Sequence, residues 1–347
     1  MKLLFSLLLL SICVNLNAQW IKLKHNCPDS NFTEVQFADR ATGYLVAEKN
    51  RLYKTLDSGK TWTQLTLPEN SQVVKLFHFS SNGTGFIGAG PWTPVAAEVF
   101  KTTDGGQSWQ SVFNPENFQR DNFITGIDIL SDSVLFVNSF DSLRKSSDGG
   151  ETWVTIGKTL GRKIYFANEN IGISTKNRDI FSTSDGGKTF SPPFQMASNY
   201  QIMDLSFANE EFAIAVASFS IPGGNSSVIY KTNDGGVTWD LSQLISSEYF
   251  DELCLVNKEV SFMYASYGYE KLYYTKNAGK FWETYNEFEG KISSIDFVDS
   301  QHGWAVGTHI YKTKNAAGLI KNSVSNPIEK SLCFYPNPAN NHINLEF

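Results

Sequence analysis

The sequence predicts an all-β fold: a seven-bladed β-propeller of four-stranded antiparallel blades, with the N-terminal strand closing the last blade. Three observations lead to this prediction. One short motif recurs seven times along the 347 residues. Pairs of short apolar runs around a polar turn stand before copies of the motif, and no apolar pattern of helical period reaches a comparable length. A recurrence of roughly 40–45 residues is typical of a blade with four strands.

The recurring motif reads Ser/Thr-x-Asp-x-Gly-x-Ser/Thr-Trp, as in "YKTNDGGVTWDLS" at residues 230–242. Its acidic position repeats at intervals of 37 to 49 residues. An Asp at a turn accepts hydrogen bonds from nearby backbone N–H groups. We therefore predict that these side chains hold the turn between the third and fourth strands of a blade and perform no chemistry. The seven positions are Asp57, Asp104, Asp148, Asp185, Asp234, Asn277 and Asn315.

The glycine and the tryptophan of the motif also have predicted structural roles. Gly150, Gly187 and Gly236 are expected at positive φ, where a β-carbon is penalised. The tryptophan is expected to fill the seam between neighbouring blades, because its indole buries a large apolar surface. These residues are Trp62, Trp109, Trp153, Trp239 and Trp282.

The paired apolar runs are predicted to be the inner hairpin of each blade, and the motif supplies the outer hairpin. The clearest inner hairpins are "VQFADRATGYLVA" (35–47), "KLFHFSSNGTGFIGAG" (75–90), "TGIDILSDSVLFVN" (125–138) and "SSIDFVDSQHGWAVG" (293–307).

Closure of the ring leaves its own trace in the sequence. The seventh copy of the motif, after Tyr311, has no tryptophan strand and runs into "AAGLIKNSVSN". The segment "QWIKLK" from Gln19 resembles the outer strand "KTWTQL" at 60–65. We therefore predict that Trp20 to Lys24 form the outer strand of the last blade, with Trp20 as its seam residue. Such an interlock leaves no unpaired edge between the first and last blades.

These motifs resemble the Asp-box, or bacterial neuraminidase, repeats of β-propellers, over nearly the whole of residues 19–314. The size and layout are similar to those of the photosystem II stability/assembly factor-like proteins. The resemblance implies that the boxes lie at the periphery, away from the ligand-binding face. Shared fold does not by itself carry a function.

Residues 1–18 are predicted to be a secretory signal peptide. Lys2 supplies the positive start, the apolar run follows, and Ala18 is a small residue at the cleavage site. The apolar run is too short to span a bilayer, and no transmembrane segment is predicted. Residues 19–314 are assigned to the propeller and 315–331 to a linker.

Residues 332–347 contain "FYPNPA" (334–339) and "HINLEF" (342–347). They strongly resemble the start of the C-terminal sorting domain of the type IX secretion system of Bacteroidetes. The resemblance implies several further strands, so the sorting domain is expected to be incomplete in this chain. A complete tail would engage the type IX secretion machinery and export the protein across the outer membrane, for release or attachment at the cell surface.

Composition excludes some classes of partner. The net charge of −6 and the scarcity of arginine argue against nucleic acid, which needs clustered cations. Cleavage of the signal peptide would leave Cys27, Cys254 and Cys333, and this odd number leaves open one disulfide or buried thiols. No Cys/His spacing is typical of a metal site, and no metal, cofactor or oligomer is predicted.

A glycoside hydrolase is the competing functional class. A sialidase would need three arginines for the substrate carboxylate and a Tyr nucleophile with a Glu partner, and the Arg-Ile-Pro-like motif that the resemblance implies is absent. A xyloglucanase-like enzyme resembles two such propellers, with one catalytic carboxylate from each. Asp121, Asp128 and Asp204 are acids outside the boxes, near inner strands, and the sequence does not separate a catalytic pair from turn acids.

A ligand-binding face is predicted where the loops between second and third strands meet the connectors between blades. The loops 88–99 and 218–228 are enlarged, 266–271 is rich in aromatics, and the connector 113–123 mixes aromatics with amides. Binding residues concentrate on such loops. The candidate ligand-binding residues are Trp92, Phe118, Arg120, Phe219, Tyr267 and Tyr269.

Together these features predict a secreted or cell-surface propeller that binds or scaffolds a protein or a glycan without catalysis. The alternative is a glycoside hydrolase, xyloglucanase-like or sialidase-like, acting on a polysaccharide.

Overall fold

Seven four-stranded antiparallel sheets form the blades of the propeller. The computed structural model of the chain describes residues 20–69, 71, 73–90, 98–114, 124–139, 142–158, 160–161, 163–196, 200–221, 224–246, 248–267, 271–285 and 288–314. Within them the backbone forms 28 strands and one 3-10 turn at Glu48–Asn50. The predicted fold is confirmed. The predicted linker and tail lie outside the described residues.

The strands of each blade are ordered from the central axis outward. The innermost strands are β2 (Phe32–Phe37), β6 (Val73–Phe79), β10 (Ile124–Ile129), β14 (Lys163–Phe166), β18 (Gln201–Phe207), β22 (Tyr249–Leu255) and β26 (Ile292–Phe297). The second strands are β3 (Gly43–Ala47), β7 (Gly85–Gly90), β11 (Leu135–Ser139), β15 (Gly172–Lys176), β19 (Ala213–Ile221), β23 (Ser261–Tyr267) and β27 (Gly303–Gly307).

The outer half of each blade contains the recurring motif. The third strands are β4 (Arg51–Thr55), β8 (Glu98–Thr102), β12 (Ser142–Ser146), β16 (Asp179–Thr183), β20 (Gly224–Thr232), β24 (Leu272–Thr275) and β28 (Ile310–Thr313). The outer strands are β5 (Thr63–Gln64), β9 (Gln110–Phe113), β13 (Val154–Gly157), β17 (Phe194–Gln195), β21 (Asp240–Ser246), β25 (Glu283–Tyr285) and, for the seventh blade, β1 (Ile21–Lys22).

The N-terminal strand closes the ring as predicted. In the pairing of β1 with β28, Ile21 lies opposite Lys312 and Lys22 opposite Tyr311. The backbone N–H of Leu23 extends the pairing with a bond to the Ile310 carbonyl at 2.8 Å. Trp20 is 8% exposed and packs in a cluster with apolar side chains of the sixth and seventh blades. It therefore fills the seam that the seventh copy of the motif leaves without a tryptophan.

The seams between several blades are built from a stacked pair of aromatic rings. Phe37, at the end of β2, stacks on Trp304 of the preceding blade with ring centroids 3.6 Å apart, and Phe79 stacks on Tyr44 at 3.5 Å. A β-carbon at Gly43 would lie 2.4 Å from the Phe37 ring. The glycine that opens the second strand thus makes room for the phenyl ring, because side chains in a seam are close-packed.

The lysine of the recurring Tyr-Lys-Thr strand packs on the same aromatic residues. Lys54 lies opposite Tyr44 in the sheet, with its Nζ 5.5 Å from the ring centroid. Lys312 is placed in the same way over Trp304, at 4.7 Å. Such cation–π contacts contribute about 0.5–1 kcal/mol at exposed sites. The repeated lysine therefore belongs to the packing of the blade.

The motif tryptophans occupy the seams to different extents. Trp62, Trp239 and Trp282 are buried among residues of two neighbouring blades. Trp109 and Trp153 also pack against two blades but are only half-buried. The predicted seam role is confirmed for all five, although burial is incomplete for two.

The Asp box is a hydrogen-bonded turn. Asp234 Oδ1 accepts bonds from the Thr238 N–H at 2.9 Å and the Thr232 hydroxyl at 2.7 Å, and its Oδ2 accepts one from the Thr238 hydroxyl at 2.5 Å. Thr232 Oγ1 in turn accepts from the Gly236 N–H at 3.0 Å. Gly236 has φ +93°, as predicted. The same network surrounds Asp57, Asp104, Asp148 and Asp185, and Gly150 and Gly187 have φ +91° and +87°.

Asn277 shows why an amide can replace the carboxylate in the sixth copy. Phe281 stands where the five copies with Asp have Ser or Thr, so a second carboxylate oxygen would have no hydroxyl to accept from. The single Asn277 Oδ1 accepts from the Phe281 N–H at 3.0 Å and from the Thr275 hydroxyl at 2.9 Å. Asn315 of the seventh copy lies outside the described residues.

Side chains of one blade cap the inner strand of the next. An innermost strand has a β-partner on its outer side only, so its inward N–H groups need other acceptors. Asp296 Oδ2 accepts from the Phe37 N–H at 2.6 Å, and Gln36 Oε1 accepts from the Phe79 N–H at 2.8 Å. The capping residue in both cases is the last but one of its strand, and the capped residue is the last of the next inner strand.

Cys27 and Cys254 are buried thiols that form no disulfide within the described residues, and Cys333 lies outside them. Burial raises the pKa of Cys27. The described part of the chain contains no helix with the length and apolar character needed to cross a bilayer.

Trp20→Ala should destabilise the protein by about 3 kcal/mol, because it opens a cavity in the closing seam. Ile21→Ala is the matched control in the same strand, since Ile21 is 54% exposed. Thermal and urea unfolding would measure both. Equal stability of the two variants would contradict the closing role of Trp20.

Asp234→Ala should lower the free energy of unfolding by about 1–2 kcal/mol, the scale of lost turn hydrogen bonds. Asp240→Ala serves as control, because Asp240 is an exposed residue of the following strand. Urea titration gives both values. If Asp240→Ala lowered the stability as much as Asp234→Ala, the loss in Asp234→Ala could not be attributed to the hydrogen bonds of the Asp box.

Candidate functional site

The strand order gives the propeller two distinct faces. The turn face holds the turns between first and second strands together with the Asp boxes. The loop face holds the loops between second and third strands and the connectors between blades, where the sequence placed the ligand-binding residues. On both faces the described residues include charged or buried polar side chains that are not part of the repeated motif.

Two of the six predicted ligand-binding residues, Phe219 and Tyr267, belong to described strands. Trp92, Phe118, Arg120 and Tyr269 lie outside the described residues. Tyr267 is the last residue of β23, opposite Tyr249 in the sheet. Phe219 is the one predicted residue whose side chain is described, and their grouping on one site stays a prediction.

The segment 218–228, predicted as an enlarged loop, is a hairpin extension. Strands β19 and β20 are nine residues long each and stay paired as far as Ile221 and Gly224. The loop prediction was wrong: Ser and Gly are weak strand formers, but the pairing between β19 and β20 keeps them extended. Half-buried Phe219 packs on Tyr200 across the blade, with ring centroids 5.8 Å apart.

A buried carboxylate stands beside this hairpin on the loop face. Glu248, in the connector between β21 and β22, has a side chain that is 4% exposed. Its Oε1 accepts from Lys271 Nζ at 3.0 Å and from the Tyr273 hydroxyl at 3.1 Å. Its buried Oε2 has no hydrogen-bond partner within the described residues. Glu248 is not among the predicted residues, and its one signal in the sequence is a charged position in a short connector.

The inner-strand acids are structural acceptors and are not turn acids. Asp128 Oδ2 accepts a short hydrogen bond from the Phe166 N–H, and Asp204 Oδ2 accepts from the Leu253 N–H at 3.0 Å. Both residues are 2% exposed. Burial raises the pKa of each to about 7, although the hydrogen bonds, and for Asp204 the charge of Lys163, act in the opposite direction. Asp121 lies outside the described residues.

The described arginines do not gather at one site. Arg40 pairs with Asp299 at 2.9 Å on the turn face, whereas Arg51 pairs with Asp29 on the loop face. Arg144 donates to Ser139 Oγ at 2.6 Å within the third blade. Within the described residues, these three arginines do not converge as the arginines that bind a sialidase substrate would. Within the described residues no group of three or more His, Cys, Asp or Glu side chains could hold a metal ion.

A large cavity opens on the turn face, at the mouth of the central channel. We call it the turn-face cavity: it has a volume of about 1030 Å³ and is lined by the ends of the inner strands and the turns that follow them in the first five blades. Its charged lining residues are Asp128, Asp132, Glu169, Glu210 and Glu211. The sequence analysis missed it, although the turns "LSDS", "NEN" and "NEE" place acids at equivalent positions of three blades.

The fold and its repeated turn define the class: an Asp-box β-propeller with seven blades. The family model for the photosynthesis system II assembly factor YCF48 matches residues 13–313 of the chain. The chain therefore belongs to the YCF48-like family. No protein among the curated ones matches the sequence.

Solved structures with the same fold include both binding proteins and enzymes. A structure described as YCF48 bound to D1 peptide is 18% identical, with a TM-score of 0.61 over 85% of this chain and 96% of the other. YCF48 from Cyanidioschyzon merolae is 14% identical, with a TM-score of 0.63 over 86% and 100%. A GH74 xyloglucanase from Xanthomonas campestris is 13% identical, with a TM-score of 0.64 over 90% of this chain and 55% of the enzyme. At these identities the likeness shows the fold alone.

The raised pKa of Asp128 predicts a pH dependence of stability. Its pKa is about 7 when folded and about 3.9 when unfolded. The folded protein therefore binds more protons between these values, and the contribution of this group to stability is complete below about pH 4 and lost as the pH rises through 7. Asp128→Asn removes this titration while leaving an oxygen for the Phe166 N–H.

The variant should be more stable than the parent at pH 8, on the order of 1–3 kcal/mol, and close to it near pH 4. Thermal unfolding across this pH range would measure the difference. A variant that is equally destabilised at both pH values would contradict a buried carboxyl that is protonated on acidification.

Proposed function

We propose that this protein is a non-enzymatic binding module, exported to the cell surface or the medium as a monomer, whose loop face holds a polypeptide or glycan partner. The observation that carries the non-enzymatic part is the use of the inner-strand carboxylates. Asp128, Asp204 and Asp296 each have an oxygen bonded to a backbone N–H of the next blade. The bonded oxygen of each carboxylate therefore has a structural role, because it satisfies a buried backbone N–H group, and this role requires no catalysis.

The loop face over the fifth and sixth blades is the proposed contact surface. There the long hairpin of β19 and β20 presents Phe219 beside Tyr200, and Glu248 holds a buried oxygen that lacks a donor in the described residues. Aromatic rings beside a hydrogen-bond acceptor suit both peptides and sugars. The peptide-bound YCF48 structure favours a polypeptide among the two.

A glycoside hydrolase is the second candidate, and the fold shared with the GH74 xyloglucanase is the observation behind it. The purified protein should be tested against plant and host polysaccharides, both for saturable binding and for release of reducing ends. The proposal expects binding, to a peptide or a glycan, without turnover. Polysaccharide cleavage that is lost in Asp204→Asn, with the fold intact, would overturn it.

Phe219→Ala should weaken the binding of whichever partner the panel identifies by roughly fivefold or more, because truncating a contact aromatic removes apolar area. Leu241→Ala is the control, since Leu241 is 57% exposed on an outer strand. Isothermal titration calorimetry of both variants, with matched thermal unfolding, provides the comparison. Unchanged affinity in Phe219→Ala would contradict the proposal that the partner binds at the loop face.

Export is proposed from the predicted signal peptide and the sorting-domain resemblance. The protein recovered from outside the cell should have the intact mass of a chain that begins at Gln19. A full-length chain retained inside the cell would contradict export.

A further inference from the structure

The side of the turn-face cavity that the third, fourth and fifth blades form is rich in acidic residues. Five of its lining residues are Asp or Glu, and none is Lys or Arg. The acids come from three successive blades and from two depths. Asp128 belongs to an innermost strand, whereas Asp132, Glu169, Glu210 and Glu211 belong to the turns that follow such strands. A concave surface with one sign of charge concentrates ligands of the opposite sign.

Neutral donors orient two of the rim carboxylates without cancelling their charge. Asp132 accepts from the Ser80 hydroxyl and, at 2.6 Å, from the Asn82 amide of the neighbouring blade. Glu210 accepts from the Asn168 amide at 2.6 Å. Among the rim acids, Glu169 has a cationic partner, Lys145, at 2.8 Å. The rim is therefore held in position while most of its negative charge persists.

The deeper part of the cavity holds two acceptors that have no donor. Asp128 and Ser206 are 2% and 6% exposed, and both line the cavity. Asp128 uses Oδ2 for the Phe166 N–H, and its buried Oδ1 has no hydrogen-bond partner within the described residues. The Ser206 hydroxyl oxygen is also buried and without a partner there. Buried polar atoms are normally paired, so these two oxygens are available to accept from a ligand that enters the cavity.

We propose that the turn-face cavity binds the ammonium or guanidinium groups of a basic polypeptide segment. A cationic side chain that enters from the rim brings several N–H donors, which match the open oxygens of Asp128 and Ser206. The rim carboxylates of the third, fourth and fifth blades then contact further cations of the same segment. This site lies on the face opposite the proposed loop-face contact, and neither depends on the other.

The size and spread of the cavity favour a polypeptide over a small cation. Its volume of about 1030 Å³ exceeds what one alkylammonium group fills, and its charges are distributed over three blades. A metal ion needs three or more ligands at one point, and the described residues contain no such group. A segment with two or more Lys or Arg residues reaches both depths of the cavity at once.

The direct test is binding of hexalysine and hexaarginine to the full protein, measured by calorimetry at low and at physiological salt. Glu210→Gln/Glu211→Gln should weaken binding about tenfold, because two carboxylates are lost from the rim. The matched control is Glu48→Gln/Glu69→Gln, which changes the net charge equally on the loop face. The two pairs are matched because each contains a Glu bonded to an Asn amide: Glu48 accepts from Asn31 at 2.7 Å, and Glu210 accepts from Asn168.

The deep acceptors are tested separately by Asp128→Asn and Ser206→Ala at pH 8, with thermal unfolding as the check on the fold. Each should weaken hexalysine binding severalfold. An equal loss in the loop-face control pair, or no saturable binding at low salt, would overturn the proposal. Spermidine that competes for the site with affinity equal to hexalysine would show that the ligand is a free polyamine and that the polypeptide assignment is wrong.

Discussion

The innermost strand of each blade has a partner on one side only, and satisfying its inward N–H groups is the constraint on which the centre of this propeller depends. In an isolated sheet such an edge would face water. Here it is buried, so acceptors must come from the neighbouring blade. Asp296, Gln36 and Asp128 provide them from equivalent positions. The same requirement brings carboxylates into a buried environment and raises the pKa of Asp128 and Asp204.

This constraint also explains why the acids near the axis are a poor guide to catalysis. A carboxylate close to the centre of a propeller suggests an active site, and the shared fold with a GH74 enzyme adds to that impression. In this chain the acids serve the backbone of the next blade. Only the second oxygen of such a carboxylate is available to a ligand. At Asp128 this oxygen, Oδ1, lies beneath a cavity whose rim is also acidic.

The sequence predicted the periodic parts of the molecule because each of them follows a local rule. The Asp-box turn, its glycines and the closing strand all depend on motifs of about ten residues, and the described residues contain six of the seven turns and the closing strand Ile21–Lys22. Departures from the motif are equally local. In the sixth copy Phe281 replaces the residue with a hydroxyl, and Asn277 replaces the Asp whose second oxygen would accept from that hydroxyl. The stacked seams follow from a glycine and an aromatic that stand together in the sequence.

The candidate sites were harder to predict because they are assembled across blades. The turn-face cavity joins residues from Ala38 to Glu211, and no motif connects them. Glu248 meets Lys271 and Tyr273 only after the connector and the next hairpin are folded. The hairpin of the fifth blade was mistaken for a loop, since Ser and Gly are weak strand formers and the pairing that keeps them extended is tertiary.

Closure by the first strand has a consequence for the order in which the molecule is made. Ile21 pairs with Lys312, about 290 positions later in the chain, so the two ends of the ring cannot meet until nearly the whole propeller exists. During synthesis, one apolar face of the first blade lacks its neighbour until the seventh blade is made, and the N-terminal segment that becomes the outer strand of that blade has no partner until then. We therefore expect closure of the ring to be a late step of folding, because pairings between distant parts of a chain form slowly, and the first and last seams expose apolar surface until then.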